Sequence, residues 1–85
     1  MTAIMGAAVA LTGAASGIGR ALAFELAAQG ADLALADTDE PQLAALANEL
    51  RQRHQVSISS HRVDVAQDDE VHRFAEEAIG QHPRL

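Results

Sequence analysis

The sequence predicts an α/β fold in three layers, a parallel sheet flanked by helices in the order β-α-β-α-β-α. Two observations carry this. Short apolar runs suited to buried strands alternate with stretches whose apolar residues recur at helical intervals. No internal linker, low-complexity segment or repeat breaks the alternation. Strands alternating with helices at this spacing imply parallel pairing through right-handed crossovers.

The first strand is expected at Ala7 to Leu11, a short apolar run between Gly6 and Gly13 that suits burial on both faces. From Ser16 the spacing turns helical, with Ile18, Ala21, Leu22 and Leu26 as the apolar stripe, and Gly30 ends the helix where a left-handed residue is wanted. Asp32 to Ala36 forms the second strand, which ends at Asp37. Asp39, with Gln42 three residues on and Pro41 in the first turn, starts the second helix as a capping-box variant. Leu43, Leu46, Ala47 and Leu50 make its buried stripe, whereas Gln42, Asn48, Glu49 and Arg51 lie off it. The β-branched stretch Val56 to Val65 gives the third strand, with its interior end near Val63. The third helix begins at Gln67 or Asp68 and ends at Gly80, burying Val71, Phe74, Ala75 and Ala78. Its acidic start, Asp68-Asp69-Glu70, suits the positive end of a helix dipole. Pro83-Arg84-Leu85 falls where a fourth strand would begin.

Composition narrows the chemistry. An 85-residue chain supports one compact core, and a formal charge of -6 argues against nucleic acid, which needs a basic face. All six basic residues are arginines; lysine, tyrosine, tryptophan and cysteine do not occur. That removes a disulfide framework, a cysteine metal site and any mechanism needing a phenol or an amine side chain. The four histidines, His54, His61, His72 and His82, lack the i, i+3 or i, i+4 spacing of helical metal ligands and are expected at the surface, with no metal bound. The apolar stretch Ala3 to Ala15 lacks a preceding positive residue and is interrupted at Thr12-Gly13, unlike a signal sequence. With no apolar run of ~18 residues there is no predicted membrane span, and a soluble, cytoplasmic protein is the expectation.

The segment Thr12-Gly13-Ala14-Ala15-Ser16-Gly17-Ile18-Gly19 joins the first strand to the first helix, the context a nucleotide-binding turn requires. Free amides at a helix N-terminus and the helix dipole favour a pyrophosphate there. In a Rossmann-type turn Gly13 permits the bend, Gly17 the approach of phosphate and Gly19 the contact of helix with sheet. Asp37 follows Gly19 by 18 residues, close to the ~20 at which a carboxylate meets the adenosine ribose. Asp64-Val65 ends the third strand, whose carboxyl end should line the same crevice.

Thr12-Gly13-x-x-x-Gly17-Ile18-Gly19, with three residues between the first two glycines, resembles the cofactor turn of the short-chain dehydrogenases/reductases. Leu11-Thr12-Gly13, Ala31 to Asp37 and Asp64-Val65 fall where that family has strand ends, so the resemblance covers nearly the whole chain. It implies the first half of a Rossmann sheet, strand order 3-2-1, with Ser16, Gly17, Ile18 and Gly19 around the pyrophosphate and adjoining ribose. Asp37 would hold the adenosine ribose, Asp64 the adenine amino group, and Val65 the ring. Asp37 would also repel a 2′-phosphate, and neither Ser16 nor Thr38 supplies a basic partner for one, so the expected cofactor is NAD rather than NADP.

The family's proton-transfer motif, Tyr-x-x-x-Lys with an assisting serine, and its Asn-Asn-Ala-Gly segment do not occur in these residues. The expectation is therefore that residues 1–85 form the cofactor-binding portion of an alcohol/carbonyl oxidoreductase, cut before the catalytic region and inactive alone. Without a fourth strand the first becomes a sheet edge, which invites self-association or partial folding. A nucleotide-binding module without catalysis, and a Rossmann-like methyltransferase fragment, are the alternatives.

Overall fold

A computed structural model describes residues 8–82. The expected first residue of the opening strand, Ala7, and the terminal Pro83-Arg84-Leu85 lie outside the described residues. Six elements alternate along the chain: β1 (Ala8–Thr12), α1 (Gly17–Ala28), β2 (Asp32–Asp37), α2 (Glu40–Arg53), β3 (Ile58–Arg62) and α3 (Asp68–Gln81). The strands form one parallel sheet in the order β1-β2-β3, the same set of neighbours as the expected 3-2-1 taken from the other edge. Register is set by pairs such as Leu11 with Leu35 and Asp37 with Arg62.

Side-chain alternation along β2 divides the core in two. Leu33 and Leu35 point to one face, where they pack with Ala23, Leu26 and Ala27 of α1, Leu43, Leu46, Ala47 and Leu50 of α2, and Ile58 of β3. Ala34 and Ala36 point to the other, against Val63, Phe74 and Ala78. Two crossovers that step the same way across the sheet with one hand must put their helices on one face, which is where α1 and α2 lie.

The ends of α1 and α2 follow the local chemistry read from the sequence. Gly30, at φ 88°, donates its amide hydrogen to Ala27 O while Ala31 donates to Leu26 O, the paired bonds of a Schellman stop. Asp39 Oδ1 accepts the Gln42 amide hydrogen at 3.2 Å and Pro41 sits in the first turn, so α2 is capped as expected.

Four expectations need correction. β1 is half exposed rather than buried on both faces, because its outer side meets no other strand among the described residues. In α1 the buried line is Ala23, Leu26 and Ala27 with Phe24 half-buried, while Ile18 and Leu22 of the expected stripe face outward, Ile18 at 86% exposure. β3 is shorter than Val56–Val65: Ser57 precedes the strand, its amide donating to Asp32 Oδ1. The ladder does reach the expected interior end, since Val63 donates its amide hydrogen to Asp37 O. α3 runs through Gly80 to Gln81 and buries only Phe74 and Ala78, with Val71 and Ala75 exposed, because the apolar surface beneath it is limited to Ala34 and Ala36 of β2 and Val63 after β3, a narrow seat.

Candidate functional site

The glycine turn has the shape its sequence demands. Gly13 and Gly17 adopt left-handed φ angles of 63° and 57°, which an L side chain adopts only under strain, and both have open space where a Cβ would stand. Gly19 differs. A Cβ there would collide with the carbonyl of Gly13, 2.8 Å from its carbon and 3.2 Å from Ala14 Cα. Lacking a side chain, residue 19 lets α1 close onto the turn. Ala14 and Ala15 are buried beneath it, Ala14 donating to Ala36 O at 3.0 Å.

Ser16 is the N-cap of α1, with an extended backbone, yet its side chain makes no capping bond. The first turn of α1 also carries no acidic residue. Its amides therefore present partial positive charge with neither a hydroxyl nor a carboxylate of the helix directed at them.

Asp37 closes the site from β2. Its Oδ2 accepts the Ala15 amide hydrogen at 2.9 Å and its Oδ1 accepts that of Asp39 at 3.0 Å. The Asp39 amide is the main cause that holds the Asp37 carboxyl below its usual range; partial burial opposes it, and the Ala15 and Thr38 bonds reinforce it. The group is an anion at neutral pH, fixed at the mouth of the turn. Beyond it, Asp64 Oδ1 accepts the Ala66 amide hydrogen at 2.9 Å, and the Asp64 amide donates to Glu70 Oε1 of α3 at 3.2 Å.

Gly13, Asp37, Thr38, Val63, Asp64 and Val65 line one open cleft of about 300 Å³ at the carboxyl ends of the strands. Four of the eight site residues expected from sequence, Gly13, Asp37, Asp64 and Val65, thus meet in one concavity. Ser16, Gly17, Ile18 and Gly19 stand at the adjoining helix start rather than in its wall. Thr38 and Val63 line the cleft without having been singled out; their adjacency to the two aspartates was the available signal. Two large apolar side chains of the site, Ile18 and Val65, are exposed at 86% and 62%. Arg20, adjacent to the last glycine, turns away: it stacks over Phe24 at 4.8 Å and pairs with Glu49 of α2 at 3.3 Å.

Two histidines also depart from expectation. His82, the C-cap of α3, is buried at 4% exposure, and the His61 side chain, against Phe74 of α3, is 7% exposed, rather than both lying at the surface. Among the described residues no group of three His, Cys, Asp or Glu is arranged to hold a metal ion, and no helix is long and apolar enough to cross a membrane.

A parallel sheet with a glycine-rich turn feeding an uncapped helix, and a carboxylate fixed at the end of the next strand, defines a Rossmann-type fold with a site at the strand carboxyl ends. Residues 7–85 match the family model of the short chain dehydrogenases, and the chain belongs to that family. The match sets aside the methyltransferase alternative.

Among curated relatives, the short-chain dehydrogenase/reductase aba4 of Botryotinia fuckeliana is 39% identical over 77 residues, covering 91% of this chain and 30% of that protein. The 11-beta-hydroxysteroid dehydrogenase-like 4A of Arabidopsis thaliana is 35% identical over 82 residues, 96% of this chain and 27% of its own length. A short-chain dehydrogenase/reductase from Burkholderia phymatum in complex with NAD superposes with a TM-score of 0.91 at 35% identity, over 98% of this chain and 29% of that one. L-Sorbose reductase from Gluconobacter frateurii, complexed with NADPH and L-sorbose, superposes at 0.87 with 31% identity, over 92% of this chain and 30% of that one. The chain thus spans under a third of the length of these relatives.

Proposed function

We propose that residues 1–85 are the part of an alcohol/carbonyl oxidoreductase that binds the adenosine and diphosphate half of NAD. The observation that carries this reading is the bond from Ala15 N to Asp37 Oδ2, which fixes a carboxylate beside the amides of the glycine turn. Amides of Gly17, Ile18 and Gly19 would hold the diphosphate, with Ser16 beside them and Gly13 giving the bend. Asp37 would accept from the ribose hydroxyls. The cleft between Asp37 and Asp64, floored by Val63 and walled by Val65, has the size and mixed polarity for an adenine ring. Bound NAD would supply a hydride acceptor; the residues of this chain bind and orient it, and none of them carries the proton transfer.

Preference for NAD over NADP rests on charge. A 2′-phosphate would meet the Asp37 carboxylate, and the nearest arginine in sequence to the turn, Arg20, is engaged with Glu49. Relatives of both kinds exist, as the NAD and NADPH complexes above illustrate. Titration calorimetry with NAD, ADP-ribose and NADP tests the reading. Binding of the first two with NADP at least about tenfold weaker is expected, a difference of roughly 1.4 kcal/mol. Absence of heat from all three on a folded chain would overturn the site, and equal affinity for NADP would overturn the preference alone.

Self-association along β1 belongs to the same reading of the isolated chain. Ala10 and Thr12 of that strand are exposed, and Ile18 and Leu22 of α1 add apolar surface. Sedimentation of the 85-residue chain should show a dimer or larger species; a monomer with a cooperative, high-temperature melt would contradict it.

A further inference from the structure

The two edges of the sheet are built differently. Backbone groups along a strand turn alternately to one side and the other. Leu33 donates its amide hydrogen to Ser57 O and Val63 donates to Asp37 O, so on β3 it is Ile58, Ser60 and Arg62 that turn theirs away from β2. Charged side chains occupy both ends of that outer edge. Arg51 of α2 lies across it, its Nη2 donating to Ile58 O at 2.7 Å, and the Asp64 amide just beyond the strand donates to Glu70 Oε1 at 3.2 Å. Arg62 lies 3.7 Å from the same Glu70 oxygen.

β1 has no such cover. Because Leu33 and Asp37 face β3, Ala34 between them faces β1, where its register partner is Ala10. A parallel ladder bonds such a residue to the neighbours of its partner, here Val9 and Leu11. Ala8, Ala10 and Thr12 therefore turn their amides and carbonyls outward, and among the described residues no side chain is bonded to them. The strand, AVALT, carries neither a charge nor a proline. The helix above this edge is apolar on the same side. Arg20 and Phe24 of α1 face α2, through Glu49 and Arg53. Ile18 and Leu22 each stand two positions from one of these, about 200° round the helix, and so line the opposite flank, beside β1, where both are exposed. Glu25, further along that flank, is tied to Gln29 at 2.7 Å.

We propose that the 85-residue chain pairs with one second copy of itself through the β1 edge, antiparallel about a two-fold axis, and that Arg51 and Glu70 stop the assembly at two copies by closing β3. The stoichiometry rests on the self-association along β1 proposed above. A two-fold axis through Ala10 sets it opposite the partner's Ala10, and Ala8 opposite the partner's Thr12, so that each outward amide meets an outward carbonyl. The second copy suits this edge because a neutral strand brings no like charges together, although each chain carries a formal charge of -6. Pairing β1 with the partner's β3 is the competing arrangement. It is head-to-tail, leaves an unpaired edge at each end and grows into a filament. Arg51 opposes it, since an incoming strand would have to displace a guanidinium from Ile58 O, and Glu70 holds the far end in the same way.

Sedimentation equilibrium of the full 85-residue chain over a concentration series tests both halves of the proposal. Wild type should level off at twice the chain mass. Arg51→Ala should pass that mass and keep rising with concentration, and Arg51→Lys, which keeps a donor for Ile58 O, should restore the plateau. Ala10→Pro removes an outward amide and leaves the bonds to β2, and Leu22→Glu puts a charge on the flank of α1; each should give a monomer, with circular dichroism reporting whether it is folded. A wild-type mass that climbs past two copies, or Arg51→Ala held at two, would overturn the closure of β3 and leave association along β1 standing. A monomeric wild type, or a dimer that persists in folded Leu22→Glu and Ala10→Pro, would overturn the β1 surface itself. Neither result bears on nucleotide binding, which calorimetry reads separately.

Discussion

Asp37 Oδ2 accepts the amide hydrogen of Ala15 at 2.9 Å, tying the end of β2 to a turn 22 residues earlier in the chain. The bond joins the two parts of the candidate site, because Ala15 directly precedes the N-cap of α1. Whatever moves the carboxylate moves relative to the helix start.

Replacing Asp37 should therefore affect both binding and structure. Asp37→Ala removes a charged acceptor worth about 1.5–3 kcal/mol, so NAD should bind roughly ten- to a hundredfold more weakly. Affinity for NADP should fall less or rise, since the repulsion goes with the charge. Calorimetry with both nucleotides checks the two directions separately, and parallel losses would refute charge-based discrimination.

Acid sensitivity should follow from the same group. The Asp37 carboxyl ionises more readily in the folded chain than at its ordinary value of 3.8, chiefly through the Asp39 amide. Its contribution to stability is thus complete above 3.8 and disappears as pH falls through the lower folded value. Urea melts of wild type and Asp37→Asn across that range should converge in acid; curves that stay parallel would assign the acid transition to other groups.

The glycines should rank by mechanism. Gly19→Ala drives a Cβ into the Gly13 carbonyl, backbone against backbone, and should destabilise the chain by about 3 kcal/mol, at the upper end of overpacking effects. Gly17→Ala has open space and suffers only the left-handed φ, about 1–2 kcal/mol. Equal midpoints in thermal melts of the two variants would contradict the steric account of position 19.

Core and site should separate along α1 and β2. Leu35→Ala empties a fully buried position between the two helices and should cost about 2–5 kcal/mol, a large share of the ~5–15 kcal/mol typical of a whole domain. Ile18→Ala, at a residue 86% exposed, should stay within about 0.5 kcal/mol in denaturant melts. Its effect is expected in nucleotide affinity instead, and a large stability loss there would show that Ile18 packs against something.

Much of this was legible because local chemistry and spacing agreed. Asp39, Pro41 and Gln42 announced α2, Gly30 announced the end of α1, and the interval from Gly19 to Asp37 placed the carboxylate at the turn. The buried side of α1 was not legible. Its sequence, GIGRALAFELAA, offers apolar residues on more than one face, and the position that sets its contact with the turn is Gly19, which has no side chain to register in a periodicity. The histidines escaped for a different reason. His61 and His82 are 21 residues apart, and only the return of α3 over β3 brings both to Ser59, a relation no spacing rule encodes.

The unequal division of the core by β2 carries over to how the molecule should come apart. One face is filled by six buried leucines and their neighbours, whereas the other has Phe74 as the single bulky apolar side chain of its core, among alanines and a valine. α3 should therefore detach first, as a separate cooperative step, while the layer under α1 and α2 persists to higher denaturant. Because α3 holds the Asp64 amide through Glu70, that early step would open the Asp64 side of the cleft while the glycine turn remains intact.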